Sequence, residues 1–225
     1  MATRPTLFPK EDKYDGIIQK YILKYNREFG TGVTFTNIKG LIAQESQFNE
    51  SASRYEKHLD TYSLGLMQIL VTTAEGLGYN VKTENLADPD TNIKYGMKYF
   101  YQKFKQYRTY SSAYASYNAG SVRRNDSGKL VNQYYVDIVG LYAKFYYQRD
   151  ITKDYDFATL TIQQIRNKQA SAGNDPTNPT SPLFKLADGG TIQVAGNSAQ
   201  EMYIMATILL ISVVIFIYLK KKGRL

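Results

Sequence analysis

Gly40-Leu41-Ile42-Ala43-Gln44-Glu45-Ser46 is the stretch of sequence that decides the fold and carries the clearest chemical signal. Counting from Ile38, apolar residues recur at helical spacing, and this pattern predicts a helix with Thr36 as its N-cap. The next position of the stripe is Glu45, at the C-terminal end of the helix. Partial burial and the negative end of the helix dipole both disfavour the carboxylate, so we expect an acid that keeps its proton near neutral pH. The alternative is a glutamate at the stripe's edge that reaches water.

Composition limits the chemistry that the rest of the chain can provide. The 225 residues are 43% hydrophobic, enough for one catalytic-size domain with appendages. Cysteine is absent and His58 is the only histidine, so disulfides, thiolate catalysis, a Ser-His-Asp triad and a histidine metal centre are hard to build. We therefore expect no metal and no cofactor, and acid–base chemistry that rests on carboxylates, tyrosine or lysine.

The net charge of +8 is concentrated at one end, because Lys220, Lys221, Lys222 and Arg224 supply four of the positive charges. The remaining excess is too small to indicate nucleic-acid binding, and the body of the chain has no long basic run. It suits an anionic polymer such as a cell wall, although only weakly.

The periodicity of the first 170 residues predicts a mainly helical body after an N-terminal arm at 1–11. The polar segment 47–62 reads as a loop with a short strand pair. The predicted domain covers 12–170, and its remaining helices are expected at 12–29, 72–77, 91–107, 111–117, 131–148 and 158–169.

The C-terminal part of the chain predicts a tether. Residues 171–200 contain Asn-Asp-Pro, Ser-Pro and Gly-Gly and read as a flexible linker. From Met202 to Leu219 eighteen residues carry no charge, which predicts a single transmembrane helix within 201–219, followed by a basic tail at 220–225. The alternative is a buried core helix. The basic cluster predicts a C-terminus on the cytoplasmic or interior side, with the domain facing outward.

Two further motifs follow Glu45-Ser46 in the chain. They are Ser63-Leu64-Gly65-Leu66-Met67-Gln68 and Tyr114-Ala115-Ser116-Tyr117-Asn118-Ala119-Gly120. In this order the three resemble the signature motifs of the soluble-lytic-transglycosylase-like family, and Asn92-Ile93, Gly96 and Tyr135-Val136 match further family positions. The resemblance covers about residues 14–147. It implies a lysozyme-like, mainly helical fold that cleaves the glycan strands of peptidoglycan.

The resemblance also implies roles for individual residues. Glu45 matches the catalytic acid and base, and substrate-binding positions match Ser46, Ser53, Gln68, Tyr117, Asn118 and Tyr135. Tyr135 is expected to reach Glu45, with Tyr134 as the alternative register.

The sequence departs from the family pattern in the segment between Glu45 and Gln68. This segment is longer than usual, and Ser53 is one position out of register. A local ion pair among Arg54, Tyr55 and Glu56 is the alternative interpretation there. Leu70 stands where the family often has methionine.

The implied reaction needs only one carboxyl group and leaves 1,6-anhydro-muramoyl ends. No second catalytic carboxylate stands out, since Glu50, Glu56 and Asp60 lie in a loop of unknown path. Two alternatives stay open: a hydrolytic goose-type lysozyme, and a non-catalytic membrane-tethered wall-binding or structural subunit of a virion.

The setting is expected to be a membrane. Residues 1–10 lack the apolar region of a cleavable signal, which favours an enzyme in the internal membrane of a virus particle that opens the wall during bacteriophage entry. A bacterial envelope, with secretion-complex proteins as partners or a tail anchor, is the other interpretation.

Overall fold

The computed structural model describes residues 4–57 and 59–171, and this part of the chain is mainly helical, as predicted. Its helices are α1 (Asp15–Phe29), α2 (Phe35–Ser46), α3 (Val71–Gly76), α4 (Pro89–Tyr107), α5 (Tyr110–Ala119), α6 (Gln133–Tyr146) and α7 (Tyr155–Ala170). A small antiparallel sheet has the strand order β1 (Ser53–Glu56), β2 (Thr61–Leu64) and β3 (Ile69–Leu70). The predicted strand pair of the polar segment is therefore confirmed as the β1–β2 hairpin.

Helix α2 lies at the centre of the domain and is buried on nearly every side. Ile38, Leu41 and Ile42 are fully buried, as the stripe predicts. The predicted N-cap was wrong by two residues: Thr34 caps the helix with an extended backbone, and the Asn37 side chain donates to its hydroxyl at 2.7 Å. Thr36 instead lies buried within the first turn.

The side of α2 that has a polar sequence is also buried, because acidic side chains compensate the charge of its lysine. The Lys39 ammonium is fully buried and donates to Asp12 at 2.6 Å and to Asp15 at 2.8 Å. It belongs to an ion-pair cluster that joins the N-terminal segment, α1, α2 and a π-helical turn after α6 (Tyr147–Thr152). The members of this cluster are Arg4, Glu11, Asp12, Asp15, Lys39, Arg149 and Asp150.

Gly40 allows α2 to approach α6, its main neighbour. A Cβ atom at Gly40 would lie 2.7 Å from the backbone nitrogen of Ala143 and 3.0 Å from the carbonyl oxygen of Val139. Any side chain would therefore separate the two backbones. The same face of α6 carries Tyr135 one turn earlier, which brings this residue towards the end of α2.

Two glycines and an asparagine fix the Gly65–Gln68 turn against α4. Asn92 donates to the carbonyls of Leu64 at 2.8 Å and Leu86 at 3.0 Å, and accepts from the Met67 amide at 2.9 Å. A Cβ at Gly65 would lie 2.4 Å from the Asn92 amide, and one at Gly96 would lie 2.5 Å from the Met67 side chain. These positions, which match the family resemblance, therefore form one packing unit.

Several helix boundaries differ from the predicted ones by a few residues. Helix α1 starts at Asp15 rather than at residue 12, because the chain before it forms hydrogen-bonded turns. Helix α4 starts two residues earlier than predicted, because Asp88 accepts from the Thr91 amide at 2.9 Å and Pro89 needs no donor in the first turn. Helix α6 is shorter than predicted at both ends.

Within residues 4–57 and 59–171, no helix is both long enough and apolar enough to span a membrane. The segment predicted to do so, from Met202 to Leu219, lies outside the described residues. The same holds for the basic tail and for the predicted linker apart from Ser171.

Candidate active site

A cleft of about 380 Å³ opens beside the C-terminal end of α2. One wall is the β1–β2 hairpin, and another is formed by the Gly65–Gln68 turn, β3 and the start of α3. Helices α4 and α5 complete it. The lining residues are Glu45, Arg54, Glu56, Leu59, Ser63, Gln68, Ile69, Leu70, Thr73, Tyr99, Tyr117, Asn118, Ala119 and Gly120.

Glu45 lies in the last turn of α2 and its side chain reaches the cleft while most of its surroundings are protein. Burial raises the pKa of its carboxyl group to about 7, although the hydrogen bond from Tyr135 and the charge of Arg54 oppose this effect. The charge of Glu56 adds to it. The direction of this shift agrees with the sequence-based expectation of an acid that is protonated near neutral pH.

Tyr135 and Tyr117 surround Glu45 from α6 and α5. The Tyr135 hydroxyl donates to Oε1 of Glu45, so Tyr135 and not Tyr134 occupies this position. The Tyr117 hydroxyl donates to the Met67 carbonyl at 2.7 Å. Burial raises the pKa of both phenols well above the usual value, so both stay neutral. Among the residues that the structure describes, Glu45 thus has a neutral donor beside it and no direct cation.

Gln68 lines the cleft, and its amide is held by the local turn. Its backbone has a φ of 43°, and its Nε2 donates to the carbonyls of Gly65 at 2.9 Å and Ala52 at 3.1 Å. The Ser63 hydroxyl is 3.4 Å from its Oε1. The amide oxygen is therefore the part of Gln68 that is left to accept from a ligand.

Asn118 is exposed at the C-terminal end of α5 and lines the same cleft. Its Oδ1 accepts from Asn132 at 2.9 Å, and Asn132 also donates to the Ala115 carbonyl at 3.0 Å. With its oxygen engaged in this way, Asn118 presents its amide donors to the cleft. Tyr117 contributes its ring rather than its hydroxyl.

The two serines with predicted substrate contacts lie elsewhere. The Ser46 side chain is buried, and its hydroxyl donates to the Leu66 carbonyl at 2.8 Å. Ser53 is exposed on the other face of β1 and lines a separate open depression with Lys13, Glu50 and Gly65. Ser46 points away from the cleft because of its position in the last turn of α2. Ser53 does so because side chains alternate between the two faces of a strand.

The extra residues between Glu45 and Gln68 form the hairpin wall. The alternative prediction of a local ion pair is confirmed here: Nε of Arg54 donates to Glu56 at 2.7 Å, and Nη2 lies 2.6 Å from the same carboxylate oxygen. Glu50 instead pairs with Lys13, and Asp60 accepts from Tyr55 at 2.5 Å. Of the three loop carboxylates, Glu56 alone is among the described lining residues of the cleft.

Sequence reasoning did not single out Ser63, Tyr99 or Asn132 as site residues. Ser63 opens one of the motifs and Asn132 immediately precedes α6, so both carry a local signal. Tyr99 carries none, because α4 is rich in aromatic residues and most of them pack in the core.

No group of three or more His, Cys, Asp or Glu side chains suited to a metal ion occurs among residues 4–57 and 59–171.

Comparison with known proteins gives one match to a protein family. A family model described as the transglycosylase SLT domain matches residues 21–135, just over half of the chain.

Solved structures are also similar to parts of the chain, among them two lytic transglycosylases. An inactive mutant of the lytic transglycosylase Slt from Pseudomonas aeruginosa is 24% identical over 58% of this chain, with a TM-score of 0.43. The 70 kDa soluble lytic transglycosylase from Escherichia coli is 19% identical over 76% of this chain, with a TM-score of 0.40. The matches cover 24% and 26% of those two chains, so this chain spans about a quarter of their length.

Proposed function

The chain belongs to the transglycosylase SLT domain family, and from that premise we propose that it is a peptidoglycan lytic transglycosylase. Its substrate is the β-1,4 bond between N-acetylmuramic acid and N-acetylglucosamine, and its products carry 1,6-anhydro-muramoyl ends. The observation that carries the proposal is Glu45, a sheltered carboxyl group with a pKa of about 7 on the wall of a cleft.

Glu45 acts first as the acid. A glycosidic bond breaks when its oxygen receives a proton while positive charge builds on the sugar. The Glu45 proton moves to this oxygen, the bond from the oxygen to the muramoyl C1 breaks, and the substrate's own N-acetyl group stabilises the resulting charge. Because Glu45 then lacks a cation beside it, the anion is a strong enough base for the next step.

Glu45 acts next as the base. It takes the proton of the muramoyl C6 hydroxyl, whose oxygen forms the new bond to C1. The product is the 1,6-anhydro sugar, the proton is back on Glu45, and no water is consumed. The Tyr135 hydroxyl holds the carboxyl group in one orientation through both steps.

The state of the second carboxylate in the cleft favours this route over hydrolysis. Oε1 of Glu56 accepts from Nε of Arg54 at 2.7 Å and from Ser63 at 3.0 Å, and Nη2 of Arg54 lies 2.6 Å from it. This oxygen of Glu56 is thus occupied by protein donors, which leaves Glu56 poorly placed to activate water. A hydrolase needs such a base or nucleophile beside its acid.

Polar groups on two sides of Glu45 supply the substrate contacts that we propose. The Asn118 amide donates to an N-acetyl carbonyl, and the Gln68 oxygen accepts from an amide or hydroxyl of the neighbouring sugar. The Tyr117 ring and Leu70 form apolar walls in the same cleft. Ser46 and Ser53 have no part in these contacts.

The test is digestion of purified peptidoglycan by the full-length chain, with mass analysis of the released fragments. We expect anhydro ends, which are one water lighter than reducing ends. Glu45→Gln should lower the rate by at least about 10²–10⁴-fold with the fold intact, whereas Glu28→Gln, on the exposed side of α1, should not. Activity that survives Glu45→Gln would reject Glu45 as the acid.

Two other results would replace the proposal. Reducing ends would identify a hydrolytic goose-type lysozyme. Binding to peptidoglycan without release of fragments would identify a wall-binding or structural subunit.

We also propose that the segment from Met202 to Leu219 anchors the chain in a lipid membrane. Its length, lack of charge, flanking Tyr203 and Tyr218 and following basic cluster support this. The full-length chain should float with liposomes and resist extraction by high salt and alkali. Extraction into the aqueous phase would contradict the anchor.

For the biological setting we propose a virus particle with an internal membrane, where the enzyme opens the wall locally during entry. The combination of a wall-cutting domain, a linker rich in Pro and Gly turns and a membrane segment supports this setting. Purified particles should contain the chain. Its presence only in host envelopes would favour a secretion apparatus instead.

A further inference from the structure

The β1–β2 hairpin presents two different faces. Arg54 and Glu56 are two residues apart on β1, so their side chains point to the same face, and Ser63 on β2 lies opposite Arg54 in register. All three line the cleft. Tyr55 and Tyr62 alternate with them and are about half exposed on the opposite face.

Glu56 is fixed within this face. Its Oε1 accepts hydrogen bonds from Nε of Arg54 and from Oγ of Ser63, and Nη2 of Arg54 lies 2.6 Å from the same oxygen as an ion-pair contact. The side chain of Glu56 is 16% exposed, against 41% for Arg54. The carboxylate therefore has one position, and the guanidinium reaches further towards solvent.

The charges that face Glu45 across the cleft come from this hairpin alone, among the described lining residues. Tyr135 from α6, Tyr117 from α5 and Tyr99 from α4 are the titratable groups on the other elements around Glu45. Burial raises the pKa of all three phenols, so they carry no charge between pH 4 and 9.

We propose that Arg54 and Glu56 are a pair of positioning residues that set the pH range in which Glu45 works. Glu56 holds the proton on Glu45, and Arg54 favours its release. The inference rests on the proposed function, because it assigns a regulator to the acid of that reaction.

The two charges have opposite effects on the same carboxyl group. An anion across the cleft opposes the ionisation of Glu45 and raises its pKa, whereas a cation lowers it. Burial is the largest influence on Glu45 and the hydrogen bond from Tyr135 is the second, and the contributions of Arg54 and Glu56 follow with these opposite signs. Held as a pair, they act in opposite directions, while burial keeps the proton in place. Any change that separates them shifts the balance.

The alternative role for the pair is to stabilise the hairpin, and this role predicts a different result in the titration. If the pair only stabilised the hairpin, the loss of either partner would loosen the same wall of the cleft. Glu45 would then respond to both losses in the same direction. The sign of the response therefore separates the two roles.

The test is a pH titration of Glu45 in the full-length chain, followed through the ¹³C resonance of its carboxyl carbon. The resonance is assigned by its loss in Glu45→Gln. Glu56→Gln should move the midpoint down and Arg54→Gln should move it up, each by about half a pH unit or more. The double variant should lie between them. The basic limb of the pH–activity profile should move in the same directions.

Two controls check that the effect is a local charge effect. Glu56→Asp keeps the charge and should restore the midpoint towards that of the parent. Glu84→Gln removes the same charge from an ion pair with Lys94 elsewhere in the domain and should leave the midpoint unchanged.

Midpoints that move in the same direction in both variants, or in neither, would overturn the inference. This outcome is distinct from failure of the proposed function, because the titration needs no catalysis. A Glu45→Gln variant that still releases anhydro fragments would reject the function whatever the titration gives.

Discussion

Lys39 and Glu45 lie six residues apart in α2, and the structure treats their charges in opposite ways. Lys39 is fully buried, and Asp12 and Asp15 accept from its ammonium, with Asp150 at 3.7 Å. Glu45 is also sheltered by protein, yet its direct partner is the neutral Tyr135 hydroxyl. One end of the helix therefore holds a compensated charge, and the other holds a group that avoids charge at neutral pH.

The two ends consequently depend on pH in opposite directions. Burial alone would raise the pKa of Asp12, but hydrogen bonds from Arg4 and Lys39 hold it below its usual value. Its contribution to stability is present above the usual carboxylate pKa and is lost as the pH falls through the lower folded value. The pKa of Glu45 is raised, so the stability linked to its proton is lost as the pH rises through about 7. Low pH therefore destabilises the end of α2 that holds Lys39, and high pH destabilises the end that holds Glu45.

The largest expected effect comes from removing the compensated charge. Lys39→Met leaves three carboxylates without their shared cation, and breaking a buried ion pair costs about 3–5 kcal/mol. We expect a loss of about 3 kcal/mol in the free energy of unfolding, at the low end because Asp12 and Asp15 are about a third exposed. Urea denaturation at pH 7 measures it.

Lys20→Met is the matched control for this change. Lys20 pairs with Asp90 on the surface of α1, where its side chain is 58% exposed. Exposed pairs contribute about 0–1 kcal/mol. If Lys39→Met cost no more than Lys20→Met, the cluster would not hold α2 in place.

A second prediction concerns the uncompensated end and has the opposite sign. Glu45→Gln keeps the shape of the protonated acid but removes the need to ionise a sheltered group at high pH. Each unit of pKa shift corresponds to about 1.4 kcal/mol, which the partial exposure of the side chain reduces. We expect the free energy of unfolding of the variant, measured relative to the parent, to rise by about 2 kcal/mol between pH 4 and pH 8.

Denaturation at a series of pH values measures this difference. The gain should be absent below about pH 4.5, where the acid is protonated in both the folded and the unfolded chain. A constant difference over the whole range would mean that Glu45 titrates as it does in water. The gain of Glu45→Gln over the parent would then be no larger at pH 8 than at pH 4.

The contrast between the two ends explains what the sequence could predict. The spacing from Ile38 to Glu45 is local, so it predicts both the helix and the sheltered acid. Lys39 reads as part of a polar face, because its partners come from the N-terminal segment, α1 and the turn after α6. No local pattern connects residues 39 and 150, so the burial of the Lys39 side of α2 could not be predicted.

The register of strands and helix turns sets a similar limit on what can be predicted for the site. The alternation of β1 places Arg54 and Glu56 together, and their pairing was open to prediction from spacing alone. Whether that face points to Glu45 depends on how the hairpin folds over the cleft. Ser46 and Ser53 show the same dependence, since a hydroxyl next to a motif has no direction until the last turn and the strand register are fixed.

The smallest expected effect comes from the hydrogen bond between Tyr135 and Glu45, which lies where the protein interior meets the cleft. Tyr135→Phe removes one hydrogen bond, and a typical bond contributes about 0.5–1.5 kcal/mol to stability. Because this bond favours the ionised carboxylate, its loss should raise the pKa of Glu45 and move the basic limb of the pH–activity profile to higher pH. Tyr25→Phe is the matched control, since the buried Tyr25 donates to the Lys94 carbonyl at 3.0 Å. Both variants should lose similar stability, but the profile should move only for Tyr135→Phe. A profile that stays in place would mean that Tyr135 orients Glu45 without affecting its proton.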